Sequence, residues 1–216
     1  MILLDTSSSM LNPFAGNTAK IEYAKYICAA LSYLFIKQND NISIATFDSN
    51  FNTILYPTNN KNTLTILDEK LRNIKPKNND KILTDFNIIA KVKNTFKKSP
   101  YICFIISDMI AEKSNILQGL AKINSPINQI YILHLIHNLE NNFDFNGYVE
   151  IKDPESDKSI TTKAGDIKDK FIYMYQQYIK NLRKELLNIN IDYNAFLMSR
   201  HYSDNILDFL KKHKMN

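Results

Sequence analysis

Short apolar runs of strand character alternate with segments of helical spacing along most of this 216-residue chain. The most constraining run is Tyr101–Ser107, which is almost wholly apolar and therefore typical of a central parallel strand that helices cover on both faces. Apolar residues at helical spacing indicate amphipathic helices elsewhere, most clearly in Ala19–Lys37 and Ile167–Asn188. This alternation predicts an α/β fold with a mostly parallel central sheet and helices on both faces.

The individual elements follow from the same patterns. The predicted strands are Ile2–Leu4, Asn41–Phe47, Phe51–Tyr56, Tyr101–Ser107, Gln129–Ile136 and Ile191–Leu197. The predicted helices are Ala19–Lys37, Leu64–Ile74, Asp85–Lys97, Ser114–Ile123, Ile167–Asn188 and Asp204–Lys212. The three-residue turn Asp48-Ser49-Asn50 is too short for a crossover, so it predicts one antiparallel edge strand.

The polar region Gly147–Lys163, which contains Asp153-Pro154-Glu155, predicts a small excursion before the long helix. The long helix is expected to turn one face to the core, and that face carries Phe171, Tyr175, Tyr178, Leu182 and Leu186. No linker divides the chain, so residues 1–216 are expected to form a single domain.

Composition narrows the class of function. The net charge of +5 comes from lysines scattered along every segment, whereas a nucleic-acid binder concentrates its charge in a patch. The one basic cluster, Lys211-Lys212-His213-Lys214, suits the end of a helix. No nucleic-acid partner is therefore expected.

Location and redox state are also predicted from composition. The chain has no signal sequence and no run of ~18 apolar residues, so no membrane segment is expected and the predicted location is cytoplasmic. Its two cysteines, Cys28 and Cys103, lie in apolar runs without metal-binding spacing and are predicted to be buried free thiols.

A pattern of oxygen-bearing side chains follows the first strand. Asp5, Ser7 and Ser9 form Asp-x-Ser-x-Ser directly after Ile2–Leu4. Asp108 directly follows the strand Tyr101–Ser107, and Thr84 precedes a predicted helix. Because ligands bind beyond the carboxyl ends of parallel strands, these residues are expected at one edge of the sheet. Hydroxyls and carboxylates are hard oxygen ligands, so they predict a site for Mg²⁺, Mn²⁺ or Ca²⁺.

These positions resemble the metal-ion-dependent adhesion site (MIDAS) of von Willebrand factor A (vWA) domains, and the chain is most similar to the bacterial DUF58 group. Asp5, Ser7 and Ser9 match the first motif, Thr84 matches the lone threonine and Asp108 the last aspartate. Four further segments match the group: Lys20-Ile21-Glu22-Tyr23-Ala24-Lys25, Ile105-Ile106-Ser107-Asp108, Asp153-Pro154-Glu155 and Ile191-Asp192-Tyr193. The resemblance covers essentially the whole chain and implies a Rossmann-like vWA fold.

By that resemblance, Ser7 and Ser9 would bind the cation directly, and Thr84 would bind it directly or through water. Asp5 and Asp108 would act mainly through water. Neutral hydroxyls leave most of the cation's charge uncompensated, so an acidic side chain of a partner protein would complete the coordination. The resemblance thus implies a non-enzymatic interaction module with no catalytic residues. It also implies a MoxR-type AAA+ ATPase as partner, in complex assembly or envelope maintenance.

Two departures from the family pattern bear on the site. Relatives often carry glycines before the threonine, whereas Lys81-Ile82-Leu83 precede Thr84 in this chain. Leucine restricts the backbone more than glycine, so the geometry of the Thr84 loop and the metal affinity are expected to differ. The motif begins at the fifth residue, so the first strand is expected to be short.

Other interpretations compete with the metal site. Ser7 and Ser9 also suit turns, Thr84 suits a helix N-cap, and Asp85 is best interpreted as a helix-start carboxylate. His134 and His137 suggest a zinc site, although ordinary strand-end histidines are the favoured interpretation.

The alternative function is a phosphoryl-transfer enzyme that uses Asp5 as nucleophile with a bound metal. Such an enzyme would need a second aspartate two residues after Asp5 or a glycine-rich phosphate loop, and neither is present.

Overall fold

A six-stranded sheet runs through the centre of the computed structural model, which describes residues 1–11, 19–75, 84–96, 100–152 and 159–214. The strands, numbered in chain order, are β1 (Ile2–Asp5), β2 (Ile42–Phe47), β3 (Phe51–Thr58), β4 (Ile102–Ser107), β5 (Gln129–Ile136), β6 (Tyr148–Lys152), β7 (Ser159–Lys163) and β8 (Asp192–Leu197). The order across the central sheet is β3-β2-β1-β4-β5-β8, and β6 pairs with β7 separately.

The directions of the strands confirm the predicted sheet. β1 pairs in parallel with β2 and with β4, β4 with β5, and β5 with β8. Among the described strands of the central sheet, β3 at the edge is the one that runs antiparallel to its neighbour, β2, because the turn between them is short. Parallel strands end at one common edge, so the residues that follow β1 and β4 are brought close together.

Helices cover both faces of the sheet. They are α1 (Lys20–Lys37), α2 (Thr63–Arg72), α3 (Val92–Phe96), α4 (Lys113–Ile123), α5 (Asn138–Asn142), α6 (Ala164–Asn188) and α7 (Tyr202–His213). α1, α2 and α7 pack on the face that carries Ile2 and Leu4 of β1. α4 and α6 pack on the opposite face, against Leu3. Alternate residues of a strand point to opposite faces, which explains this division of the core.

The predicted helix Asp85–Lys97 is divided into two elements. A 3₁₀ helix spans Phe86–Lys91, and α3 continues to Phe96. The buried residues Phe86, Ile89 and Val92 recur every third position, which is the repeat of a 3₁₀ helix rather than an α-helix. The carbonyl of Phe86 also lies against Gly119 of α4, where a side chain would clash. Lys97 lies outside the described residues.

The region before α6 contains more regular structure than its polar sequence predicts. α5 was not predicted, and neither was the β6–β7 hairpin. The segment Asp153-Pro154-Glu155 lies outside the described residues. In α6, Leu182 and Leu186 are buried as predicted, whereas Phe171 and Tyr175 are only half-buried and face a cavity described below.

Both cysteines are free and buried, as expected. Burial raises the pKa of the Cys28 thiol and of the Cys103 thiol to about 12. Among the described helices, none combines the length and the apolar character that a membrane span needs.

Candidate metal centre at the carboxyl edge of the sheet

Asp5 is the last residue of β1, and its side chain is fully buried. The backbone N–H of Ser7 donates to its Oδ1 over 2.9 Å, which tightens the turn that follows the strand. The hydroxyl of Ser107, at the end of β4, donates to its Oδ2 over 2.6 Å. The Asp5 carboxylate is therefore held between its own loop and the neighbouring strand.

The two serines of the motif extend from Asp5 towards the end of β4. A 3₁₀ helix over Ser8–Leu11 follows the strand and turns both hydroxyls to one side. Ser7 Oγ and Ser9 Oγ lie 3.0 Å apart, and Ser9 Oγ donates to Asp108 Oδ1 over 3.2 Å. Asp108 is itself buried and also accepts the backbone N–H of Ile110 on Oδ1 over 3.3 Å.

Thr84 joins this group from a third part of the chain. Its hydroxyl donates to Asp5 Oδ2 over 3.3 Å, and the residue is buried. The next residue, Asp85, holds the position of Thr84 because its N–H donates to the carbonyl of Asp48 over 3.1 Å. Asp85 also caps the 3₁₀ helix by accepting the N–H of Asn87, as its sequence position predicts. Lys81-Ile82-Leu83, where relatives carry glycines, lie outside the described residues.

All five residues of the predicted site are thus brought together. They form one connected set of hydrogen bonds, which we call the oxygen cluster: Asp5, Ser7, Ser9, Thr84 and Asp108. Three hydroxyls and two carboxylates offer only hard oxygen donors, which fit Mg²⁺, Mn²⁺ or Ca²⁺ better than softer metals. Among the described residues, no group of three His, Cys, Asp or Glu side chains could hold a metal.

The surroundings of Asp5 disfavour the ionised form of its carboxyl group. Burial raises the pKa of the Asp5 carboxyl to about 7, and repulsion from Asp108 adds to this increase. The hydrogen bonds from Ser107 and Ser7 partly oppose it by favouring the charged form. A bound divalent cation would supply the positive charge that the two carboxylates need.

Two charged residues beside the oxygen cluster, Lys20 and Glu140, are not among the predicted site residues. Lys20, only 1% exposed, donates to Asp108 Oδ2 over 2.9 Å and to Glu140 Oε1 over 2.5 Å. Burial alone would lower the pKa of Lys20, but the two carboxylates raise it above its ordinary value. A signal was available for Lys20, because it precedes Ala24 by one helical turn and therefore lies on the buried stripe of α1.

The two histidines of the zinc hypothesis have other partners. His134 Nδ1 lies 2.6 Å from the hydroxyl of Tyr193, and burial lowers the pKa of this imidazole to about 4. His137 caps α5: its Nδ1 accepts the N–H of Leu139, and its own N–H donates to Glu140. These hydrogen bonds give both histidines structural roles, so neither supports the zinc hypothesis.

A cavity of about 840 Å³ borders Asp108 and Glu140. Most of its lining is apolar or aromatic, from the loop after β4 and from α6: Met109, Ile110, Ala111, Phe171, Tyr175 and Tyr178. The hydroxyl of Tyr178 donates to the carbonyl of Met109 over 3.0 Å and so fixes α6 to the loop. An apolar recess thus lies directly beside the oxygen cluster.

Comparison with known proteins agrees with this fold. A family model described as "Protein of unknown function DUF58" matches residues 1–182. The chain belongs to the DUF58 family. No curated protein matches this member of the family.

Solved structures show that this DUF58 chain has a vWA-like fold. The conserved hypothetical protein BatB from Bacteroides thetaiotaomicron superposes with a TM-score of 0.60 at 16% identity, over 99% of this chain and 96% of that one. An aerotolerance-related membrane protein from Bacteroides fragilis gives 0.54 at 16% identity, over 99% and 98% of the two chains. The SpRpn10 VWA domain gives 0.55 at 13% identity, over 95% and 91%. The predicted Rossmann-like vWA architecture is confirmed.

Proposed function

We propose that this chain is a non-enzymatic protein-interaction module that depends on a divalent cation. The observation that carries the proposal is the oxygen cluster, in which hydroxyls and carboxylates from three distant segments lie in hydrogen-bond contact. Buried carboxylates that repel each other are costly unless a cation compensates them. The vWA-like fold supports the same interpretation, because ligands of parallel sheets bind beyond the carboxyl ends of the strands.

The donor set defines how a cation would be held. The hydroxyl oxygens of Ser7, Ser9 and Thr84 would bind it directly, and the carboxylates of Asp5 and Asp108 would bind it through water. Mg²⁺ suits this arrangement because it keeps several of its waters and prefers oxygen ligands. Mn²⁺ and Ca²⁺ are the alternatives.

A partner protein would use the same cation. Neutral hydroxyls leave most of the positive charge available, so an acidic side chain of the partner would complete the coordination. The apolar cavity beside Asp108 offers surface to the residues that flank this acid. From the family resemblance we propose a MoxR-type AAA+ ATPase as the partner, in complex assembly or envelope maintenance.

The first experiment measures whether cations stabilise the protein. Mg²⁺ or Mn²⁺ at ten to a hundred times the dissociation constant should add roughly 1–3 kcal/mol to the free energy of unfolding. Asp5→Ala should abolish this increase. Asp85→Asn is the matched control, because Asp85 lies next to Thr84 and caps a helix without joining the oxygen cluster. An equal response in both variants would contradict the proposal.

The second experiment identifies the partner. The tagged protein is used for affinity capture in Mg²⁺ and in chelator, with Ser9→Ala as a parallel bait. A protein recovered only by wild type in Mg²⁺, and lost when its exposed acidic residues are substituted, would support a cation bridge. Recovery of an AAA+ ATPase would support the proposed partner.

The phosphoryl-transfer alternative requires Asp5 to present an oxygen to an incoming phosphoryl group. The Asp5 carboxylate is buried and accepts hydrogen bonds on both oxygens, an arrangement that suits binding better than attack. A stable phosphoenzyme after treatment with acetyl phosphate or ATP, absent in Asp5→Ala, would favour the enzyme instead.

A further inference from the structure

Lys20 occupies a position that its own helix makes unfavourable. It is the first residue of α1, whose N-cap Ala19 provides no side-chain cap. The N-terminal end of a helix carries partial positive charge, which disfavours a cation there. Lys20 is nevertheless almost completely buried, so the carboxylates around it must compensate for both effects.

Two carboxylates hold its ammonium group. Asp108 accepts from Lys20 on Oδ2, while its other oxygen, Oδ1, accepts from Ser9 of the oxygen cluster. Glu140 accepts from Lys20 on Oε1, and its Oε2 is fixed by the N–H of His137 in the capping box of α5. Lys20 is therefore in direct contact with the oxygen cluster, through Asp108.

The charges of these four groups do not cancel. Asp5, Asp108 and Glu140 carry three negative charges against the one positive charge of Lys20, which leaves −2 when all four are ionised. Asp48, the next carboxylate along this edge, is bound by the N–H of Asn50 and is unchanged in every variant considered below. The remaining charge of the four groups equals that which one divalent cation supplies.

We propose, on the basis of the proposed function, that Lys20 and Glu140 together set the affinity of the oxygen cluster for its divalent cation through charge. The ammonium of Lys20 repels the cation and competes with it for Asp108. The carboxylate of Glu140 attracts the cation and, because it also pairs with Lys20, reduces the extent to which Lys20 neutralises Asp108. Lys20 is thus a built-in positive charge that keeps cation binding reversible. Neither residue is a ligand.

This arrangement predicts effects of opposite sign. Lys20→Met keeps the length of the side chain and removes its charge, so the dissociation constant for Mg²⁺ should fall roughly tenfold or more. Glu140→Gln keeps the shape and removes a negative charge, so the constant should rise roughly fivefold or more. The double variant has the wild-type net charge and should bind within about threefold of wild type.

Isothermal titration calorimetry of the full chain with MgCl₂ and MnCl₂, at constant ionic strength, measures these constants. Lys25→Met is the matched control, since Lys25 lies on the same helix and pairs with the exposed Glu22; its constant should equal that of wild type. If Lys20→Met does not fold, Glu140→Gln and the double variant still test the sign and the compensation.

Weaker binding in both single variants would show that the pair only orients Asp108, and would overturn the proposal. Unchanged constants in all three variants would overturn it as well. Either result leaves the proposed function intact as long as wild type binds the cation and Asp5→Ala does not. Absence of cation binding in wild type would instead contradict the proposed function itself.

Discussion

Two buried polar groups lie side by side near the carboxyl edge of the sheet, and they differ in charge. Near the ends of β1 and β4, the ammonium of Lys20 pairs with the carboxylates of Asp108 and Glu140, and the carboxylate of Asp5 joins Asp108 in the oxygen cluster. One strand further on, His134 of β5 lies beside Ser107 in register and bonds to Tyr193. The pair of His134 and Tyr193 is neutral and satisfied, whereas the carboxylate group keeps excess negative charge. A buried group whose charges balance supports the fold, whereas one with excess charge is costly and can be stabilised by protonation or by a cation.

The largest expected effect comes from removing the single ammonium. Lys20→Met in chelator should lower the free energy of unfolding by about 3–5 kcal/mol, because it leaves the buried carboxylate of Asp108 and the partly buried carboxylate of Glu140 without their positive partner. Urea unfolding measures the loss, and saturating Mg²⁺ should restore part of it. Lys25→Met should cost less than about 1 kcal/mol. A similar small cost for both variants would mean that Lys20 is not needed to compensate the carboxylates.

The neutral pair should respond to acid. The pKa of His134 is lowered from 6.5 to about 4, so the unfolded chain binds a proton on this ring at a higher pH than the folded protein does. Between pH 6.5 and pH 4 the free energy of unfolding should therefore fall by up to roughly 3 kcal/mol from this group alone. Burial is the main cause, and the nearby charges of Asp108 and Lys20 act in opposite directions.

His134→Gln keeps a polar partner for Tyr193 but does not titrate in this range. Its urea-derived stability, measured in chelator from pH 7 to pH 4, should fall less steeply than that of wild type. Parallel curves for the two proteins would show that His134 is protonated equally in the folded and unfolded states, and the neutral assignment would be wrong.

A smaller effect is expected from the phenol of the neutral pair. Tyr193→Phe removes the 2.6 Å contact to His134 and leaves a buried ring nitrogen without this partner, at a cost of about 1–2 kcal/mol. The dissociation constant for Mg²⁺ should be the same as in wild type. A loss of cation binding in Tyr193→Phe would show that the pair of His134 and Tyr193 is not independent of the carboxylates beside it.

The smallest effect on stability should belong to a residue of the oxygen cluster. Thr84→Val preserves the shape of the side chain and removes two long hydrogen bonds to Asp5, of 3.3 and 3.5 Å, so the free energy of unfolding in chelator should change by less than about 1 kcal/mol. The stabilisation by Mg²⁺, by contrast, should be largely lost, which thermal unfolding with and without the cation would reveal. If Thr84→Val retained the full stabilisation by Mg²⁺, Thr84 would not be a ligand of the cation.

Much of the oxygen cluster could be predicted because strand ends can be located from sequence. Asp5 and Asp108 each follow an apolar run, and parallel strands place such residues at one edge. Lys20 and Glu140 could not be paired in the same way, because both lie in helices and neither directly follows a strand. Glu140 lies in the short helix α5, which propensity alone does not predict, because five residues form a stable helix only with tertiary support.

Local patterns of residues predict the alternation of strands and helices, the antiparallel edge and the set of oxygen donors. These depend on local periodicity and on where each apolar run ends, which neighbouring residues decide. The tertiary structure alone decided that Phe86–Lys91 forms a 3₁₀ helix against Gly119, and that Phe171 and Tyr175 line a cavity rather than the core. It also placed a buried lysine between two carboxylates, because residues of opposite charge that are distant in sequence become neighbours only in the folded chain.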